Sequence, residues 1–179
     1  GMAASAMAAQ NIGAGKWERV DRIAISGMVV NLLLTGSIVA LTLLFDHSLL
    51  RLFLTDHAGA IAIAQRIGLL ASWAFILMGV TMVLSSITRA NGATVVPLII
   101  MILAYIPGRL GSIYLMHGWI GADAIWWSFP IGGALSLILT FAYYVQGGWR
   151  NIRLLATIEE AEEFVQSEGE PTGRMLPNG

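Results

Sequence analysis

Residues 23–45 carry no charged side chain. A helix over that stretch, rising about 1.5 Å per residue, is about 35 Å long, enough to cross a hydrocarbon core of about 30 Å. The same pattern returns at 67–88, at about 94–116 and at about 124–145, with the charges gathered between the runs. Apolar runs of this length predict membrane-crossing helices. The expected fold class is therefore all-α, a polytopic transmembrane helical bundle of four full spans. The third run is interrupted by Pro107, Gly108 and Arg109. Ahead of the first run, the small apolar residues 1–9 read as the end of a preceding helix.

Between the first two runs, Asp46, His47, Arg51, Asp56 and His57 surround an apolar patch of Leu49, Leu50, Leu52, Phe53 and Leu54. That segment is expected to lie at the interface instead of crossing. Trp126 and Trp127 open the fourth run, and Tyr143, Tyr144 and Trp149 close it, matching the two aromatic belts at the headgroups. Small residues four apart allow helices to approach closely where lipid supplies no hydrophobic drive. Gly36 with Ala40, Ala64 with Gly68, Gly108 with Ser112, and Gly132 with Ser136 have that spacing.

Composition supports a lipid solvent. The 179 residues are 56% hydrophobic and 12% charged, and mean hydropathy is +0.73, whereas soluble domains carry about 25% charged residues. The first residues lack the basic start and short apolar core of a signal peptide. Positive residues accumulate in short cytoplasmic loops. Lys16, Arg19 and Arg22 precede the first run, Arg89 follows the second, and Arg150 and Arg153 follow the fourth; Arg51 and Arg66 fall on the other side. Four spans put both ends on one side, and the bias makes that side cytoplasmic. Residues 156–179, rich in glutamate and closing in Pro and Gly, read as an acidic cytoplasmic tail.

Several function classes drop out. A net charge of −1 gives no electrostatic case for nucleic acid, and the lack of cysteine removes disulfides, thiolate catalysis and Cys-ligated metal. His47, His57 and His117 lack the spacing of a helical ligand pair, so no metal is expected. Gly13-Ala14-Gly15-Lys16 fails as a phosphate loop, with Gln10 where glycine is needed and Trp17 where Ser or Thr is needed. It fails as a dinucleotide loop at Glu18, and no nucleophile meets a base anywhere. An enzyme is not expected.

Two polar side chains stand inside the runs. Arg109 is the only deep charge, at a cost of at least about 2.5–3.5 kcal/mol on insertion scales. It either lines a cavity or pairs with a carboxylate, or with carbonyls freed at the Pro107–Gly108 kink. Asn31, mid-run, either bonds a neighbouring helix or contacts substrate or a cation.

Four stretches carry a family resemblance, in order. They are Gln10-Asn11-Ile12-Gly13-Ala14-Gly15-Lys16, Leu52-Phe53-Leu54-Thr55-Asp56, Thr88-Arg89-Ala90-Asn91-Gly92-Ala93-Thr94 with Pro97, and Ile125-Trp126-Trp127-Ser128-Phe129-Pro130-Ile131-Gly132. Together they resemble the multidrug and toxic compound extrusion (MATE) family. The resemblance implies that residues 1–155 are part of the C-terminal lobe, from the end of helix eight through helix twelve. It marks Gln10, Asn11, Gly13, Gly15, Lys16, Arg89, Gly92, Pro97 and Pro130 as family positions. It also implies a multi-pass protein of the bacterial inner membrane, a secondary antiporter exporting cationic or amphipathic drugs in exchange for Na+ or H+.

The partners implied are membrane lipid, small organic cations, helices seven and eight, and the N-terminal lobe. No cofactor is implied beyond the coupling ion. Two departures stand out: Pro107 precedes Arg109 where the family often has arginine first, and 67–88 contains no acidic residue, so the coupling ion is expected to bind elsewhere in the full protein. The chain alone is expected to be inactive. The alternatives are a related flippase for lipid-linked precursors and a transport-inactive remnant or scaffold.

Overall fold

The structure, a computed structural model, describes residues 1–53 and 58–152, with the backbone alone for 46–53, 58 and 60. The expected acidic tail, Arg153, Asp56 and His57 lie outside the described residues. Every regular element among the described residues is helical: α1 (Met2–Gly13), α2 (Trp17–Phe53), α3 (Ala58–Ala90), α4 (Val95–Leu103), a π turn (Ala104–Gly108), α5 (Arg109–Ile120), a 3-10 turn (Gly121–Asp123), α6 (Ala124–Gln146) and a last 3-10 turn (Gly148–Asn151). Three described stretches are long and apolar enough to cross a membrane: Trp17–Phe45, Ile61–Ala90 and Val95–Gln146. The all-α helical bundle expected from the sequence is therefore the fold.

The last of these stretches folds back on itself. Gly121 has φ +60°, a conformation that costs little only without a Cβ, and it reverses the chain between α5 and α6. The two limbs then lie antiparallel. A Cβ at Gly132 of α6 would sit 2.8 Å from the Arg109 Cγ, and one at Gly108 would sit 2.7 Å from the Leu135 Cδ2. The four-apart pairs containing Gly132 and Gly108 thus mark close approaches. Gly36 and Gly68 face open space, so those two pairs mark none among the described residues.

Helix α2 differs from expectation. It does not stop where the charges begin but runs through to Phe53, and α3 starts at Ala58, ahead of the uncharged run. The polar residues end the apolar run, yet residues 46–53 contain neither Gly nor Pro to end a helix. The interfacial segment is, for those residues, a continuation of the crossing helix. The third run differs too. Pro107 interrupts nothing; the helix widens into a π turn around it. Proline has no N–H to give to the carbonyl four residues back, and a π turn absorbs that lost bond without ending the helix.

Helices α2 and α3 are antiparallel, with Gly27 against Val83 and Gly79 against Asn31; α3 and α6 run parallel, with Gly133 against Leu77. Short α1 lies along both α2 and α3, burying Ala4, Ala8 and Ile12. The main buried cluster occupies one end of the bundle, where these side chains meet Val20, Ala24, Leu84, Ile87 and Trp149. Elsewhere many of the large apolar residues face outward. Leu33, Leu34, Ile38 and Leu44 of α2 are all more than half exposed, a surface suited to acyl chains rather than water.

Candidate functional site

Three polar features interrupt the apolar bundle. Arg109 opens α5 directly after the π turn, half-buried against α6. Its Cζ lies 3.9 Å from the centroid of the Phe129 ring, and its Nε donates to the Ser128 Oγ at 3.4 Å. Ser128 in turn donates to the Ile125 carbonyl at 2.6 Å, so its proton is already committed. The ion pairs among the described residues are Arg66 with Asp123 and Arg150 with Asp21; Arg109 has no carboxylate partner there. Aromatic face and hydroxyl, not a counter-charge, hold this guanidinium.

Below Arg109 on the same helix interface is a cavity of about 120 Å³ between α3, the π-turn limb and α6. Hydroxyls of Thr81, Ser85, Tyr105, Ser136 and Thr140 line it, together with Met78, Met82, Met101, Pro97 and, at its mouth, Arg89. Thr140 is 1% exposed and its hydroxyl has no hydrogen-bond partner among the described residues. A space of this size holds on the order of four waters at about 30 Å³ each, and the hydroxyls supply their partners. No carboxylate lines it. On α6 the buried residues Ser128, Gly132, Ser136 and Thr140 recur every fourth position, and this stripe joins the cavity to Arg109.

Asn31 sits at a different interface, between α2 and α3. Its amide packs on Gly79, its Nδ2 is buried without a partner among the described residues, and it borders an open depression of about 450 Å³ that also touches Arg22 and Gly1. The structure therefore does not bring Arg109 and Asn31 together. Among the described residues no group of three His, Asp or Glu side chains is placed to hold a metal.

Most of the family positions gather at the basic end. Asn11 donates to the Met7 carbonyl at 2.8 Å, Gly15 turns the chain with φ +68°, and Gln10, Gly13 and Lys16 are exposed. Gly92, φ +85°, turns α3 into α4, while Pro97 and Arg89 border the hydroxyl-lined cavity. Pro130 lies at the far end, lining an apolar depression with Trp73 and Trp127. Asn91, between Arg89 and Gly92 but not one of those positions, does the firmest structural work at this end. Only 2% exposed, it donates to the Trp149 carbonyl at 2.7 Å and to the Arg150 carbonyl at 3.2 Å.

Trp149 was expected at the headgroups with Tyr144, but it is fully buried and Tyr144 is 8% exposed. After Gly147 the chain folds inward, and the Trp149 indole donates to the Tyr144 carbonyl at 2.9 Å and meets Trp17 edge-on at 5.8 Å. Tyr144 then donates to Asp21, which also accepts from Arg150, each at 2.8 Å. The start of α2, the α3–α4 turn and the end of α6 are thereby tied into one knot.

Sequence reasoning singled out Arg109 and Asn31 but missed Asn91, Trp149 and the hydroxyl cavity. The four-residue recurrence of small and hydroxyl side chains in α6 is the signal that points to the cavity.

Long apolar helices, an interior polar cavity and, among the described residues, a single arginine deep within an apolar run define a polytopic helical membrane protein. The MatE family model matches residues 1–114, and the chain belongs to that family. It is similar to two Bacillus subtilis (strain 168) proteins. The probable multidrug resistance protein YoeA is 29% identical over 161 residues, which is 89% of this chain and 34% of the relative. The probable multidrug resistance protein YpnP is 29% identical over 154 residues, 86% of this chain and 34% of the relative. The chain thus spans about a third of the length of the curated relatives it matches. No solved structure matches it.

Proposed function

We propose that this chain is part of the C-terminal lobe of a secondary active antiporter that exports cationic or amphipathic drugs in exchange for Na+ or H+. The observation that carries the reading is family membership over a membrane bundle with a polar interior. The names of both relatives as probable multidrug resistance proteins support the cargo class. Alternating access needs two lobes rocking about a shared site, so the described helices alone are transport-inactive. The rest of the transporter, helices seven and eight and the N-terminal lobe, is the partner.

The basic end, with Lys16, Arg19, Arg22, Arg89 and Arg150, faces the cytoplasm of a bacterial inner membrane on this reading. The cavity lining supports a coupling ion bound elsewhere, because it offers hydroxyls and thioethers without a carboxylate. A flippase for lipid-linked precursors would present several deep basic residues to its anionic cargo; among the described residues only Arg109 is deep.

The test is efflux. The chain, rejoined to its upstream region, is expressed in an efflux-deficient host, and accumulation of cationic dyes is measured with and without Na+ and proton gradients. Gradient-dependent lowering of accumulation is expected from the rejoined protein and not from residues 1–179 alone. No lowering for any cationic compound would count against the reading.

A further inference from the structure

The hydroxyl-lined cavity between α3, the α4 limb and α6 holds donors that the fold leaves unanswered. A serine or threonine in a membrane helix can be satisfied by donating back to a carbonyl three or four residues earlier. Thr81, Ser86, Ser112 and Ser128 all do so, at 2.6–2.9 Å. Thr140 does not: it is 1% exposed, it lies in the cavity wall, and its hydroxyl has no partner among the described residues. Ser85, Tyr105 and Ser136 share that wall, and none of their hydroxyls donates a hydrogen bond among the described residues. Four protons are therefore available around one small space.

Hydroxyls serve an ion of either sign, so the sign is set by what stands beside them. Arg89 lies at the mouth, the lining has no carboxylate, and the ion pairs among the described residues join other arginines. Helix α3 ends at Ala90 and α4 begins at Val95, so the opposed charges of the two helix ends offset each other and leave the sign to Arg89. Size narrows the occupant: pockets for drug-sized compounds start at about 300 Å³, whereas this cavity measures about 120 Å³. Depth argues against a lipid phosphate. On α6, which ends at Gln146, Thr140 lies about 9 Å and Ser136 about 15 Å in from the end, at about 1.5 Å per residue. An occupant that reaches both has left the headgroup layer.

We propose that this cavity binds one small monovalent inorganic anion, chloride under ordinary salt conditions. The hydroxyls of Ser85, Tyr105, Ser136 and Thr140 donate to it, and Arg89 balances its single charge. A divalent anion would leave one charge unanswered away from water. Water alone would satisfy the hydroxyls but answers no charge, and that difference is what a binding measurement reads. Bound there, the anion ties α3, the α4 limb and α6 together and stabilises the fold as chloride rises. The site does not depend on the exporter reading, since efflux enters neither the chemistry nor the test.

The test is chloride binding to the complete protein, the chain rejoined to its upstream region, in phosphatidylcholine nanodiscs. It is read by chloride NMR line broadening, with gluconate holding the ionic strength constant. Saturable broadening that bromide reverses is expected. Thr140→Val, which keeps the shape, and Arg89→Gln are each expected to weaken chloride by about tenfold or more, the scale of a hydrogen bond to a charged group. Arg19→Gln removes an exposed cation from the same end and is expected to leave the affinity within about twofold, because solvent and salt screen such a charge. If Arg89→Gln does not fold, Thr140→Val and Ser136→Ala carry the test. Unchanged affinity in the folded cavity variants overturns the proposal, and so does the absence of saturable broadening in the wild type, which leaves the cavity to water. Equal weakening by Arg19→Gln overturns it as well, since the signal then comes from the basic surface. Loss of chloride on adding phosphatidylglycerol at high salt, where surface potential is screened, makes lipid phosphate the occupant and likewise ends the proposal.

Discussion

Asn31 of α2 and Gly79 of α3 interlock: a Cβ at position 79 would lie 3.0 Å from the Asn31 Oδ1 and closer still to its Nδ2. Only glycine leaves room for the amide, so the pair fixes how α2 lies on α3. Gly79→Ala is expected to cost about 1–3 kcal/mol by overpacking. Most of that cost should vanish when Asn31→Ala is already present, because the two side chains then no longer compete for the same space. Reversible unfolding in detergent of both single variants and the double variant measures the coupling. An equal cost for Gly79→Ala in both backgrounds would show that the interlock does not hold the helices in register.

Asn91 joins two elements that are 58 residues apart in sequence, and it does so through carbonyls that have become available because the chain folds inward after Gly147. Asn91→Leu keeps the size and removes both donors. The buried Trp149 carbonyl then loses its partner, at about 1–3 kcal/mol. The expected outcome is a lower unfolding midpoint and faster proteolysis near Gly148, with helix content unchanged. Unchanged proteolysis at that end would mean that the knot is held by Asp21 and Trp149 alone.

The sequence made the helices legible because lipid imposes a length and a composition on each crossing, and both can be counted. It also placed most of the family positions at one end, since basic loops and turn glycines are local signals. What it hid depends on tertiary contact. Trp149 looks like a headgroup anchor by composition, and only the inward turn after Gly147 shows it as core. Pro107 reads as a break, whereas the opposing Gly132 lets the limb stay continuous through a π turn. Arg109 and Asn31 were visible as anomalies, but which helix each one faces was not written in either neighbourhood.

The π turn leads to a further expectation. A Cβ at Gly108 would lie 2.7 Å from the Leu135 Cδ2 and 3.0 Å from the Leu103 carbonyl oxygen. The first contact is the end of a flexible side chain, and the second is backbone. Gly108→Ala should therefore destabilise the protein by about 1–3 kcal/mol, and Leu135→Ala should rescue it only in part. Spin-label distances between the far ends of α4 and α5 should also change, as the turn relaxes away from Leu103. Full rescue by Leu135→Ala would place the whole strain on the side chain and leave the π turn without a role in it.

The two described ion pairs are a test of what a salt bridge contributes at each end. Asp21 and Asp123 are almost equally exposed, at 42% and 41%, and each accepts from an arginine at 2.8 Å. Their surroundings differ. Asp123 answers only Arg66, itself 62% exposed, a situation in which solvent and salt leave about 0–1 kcal/mol. Asp21 answers Arg150 and also the hydroxyl of the nearly buried Tyr144. Asp123→Ala is therefore expected to shift stability by less than about 1 kcal/mol, and the shift should fade in 1 M salt, where screening acts within about 3 Å. Asp21→Ala leaves a buried hydroxyl without an acceptor, at about 1–3 kcal/mol that salt does not remove. Asp21→Asn keeps an acceptor oxygen for Tyr144 and should fall between. Unfolding midpoints for the three variants at low and high salt decide the matter: equal, salt-sensitive losses at positions 21 and 123 would reduce the knot at the basic end to an ordinary surface pair.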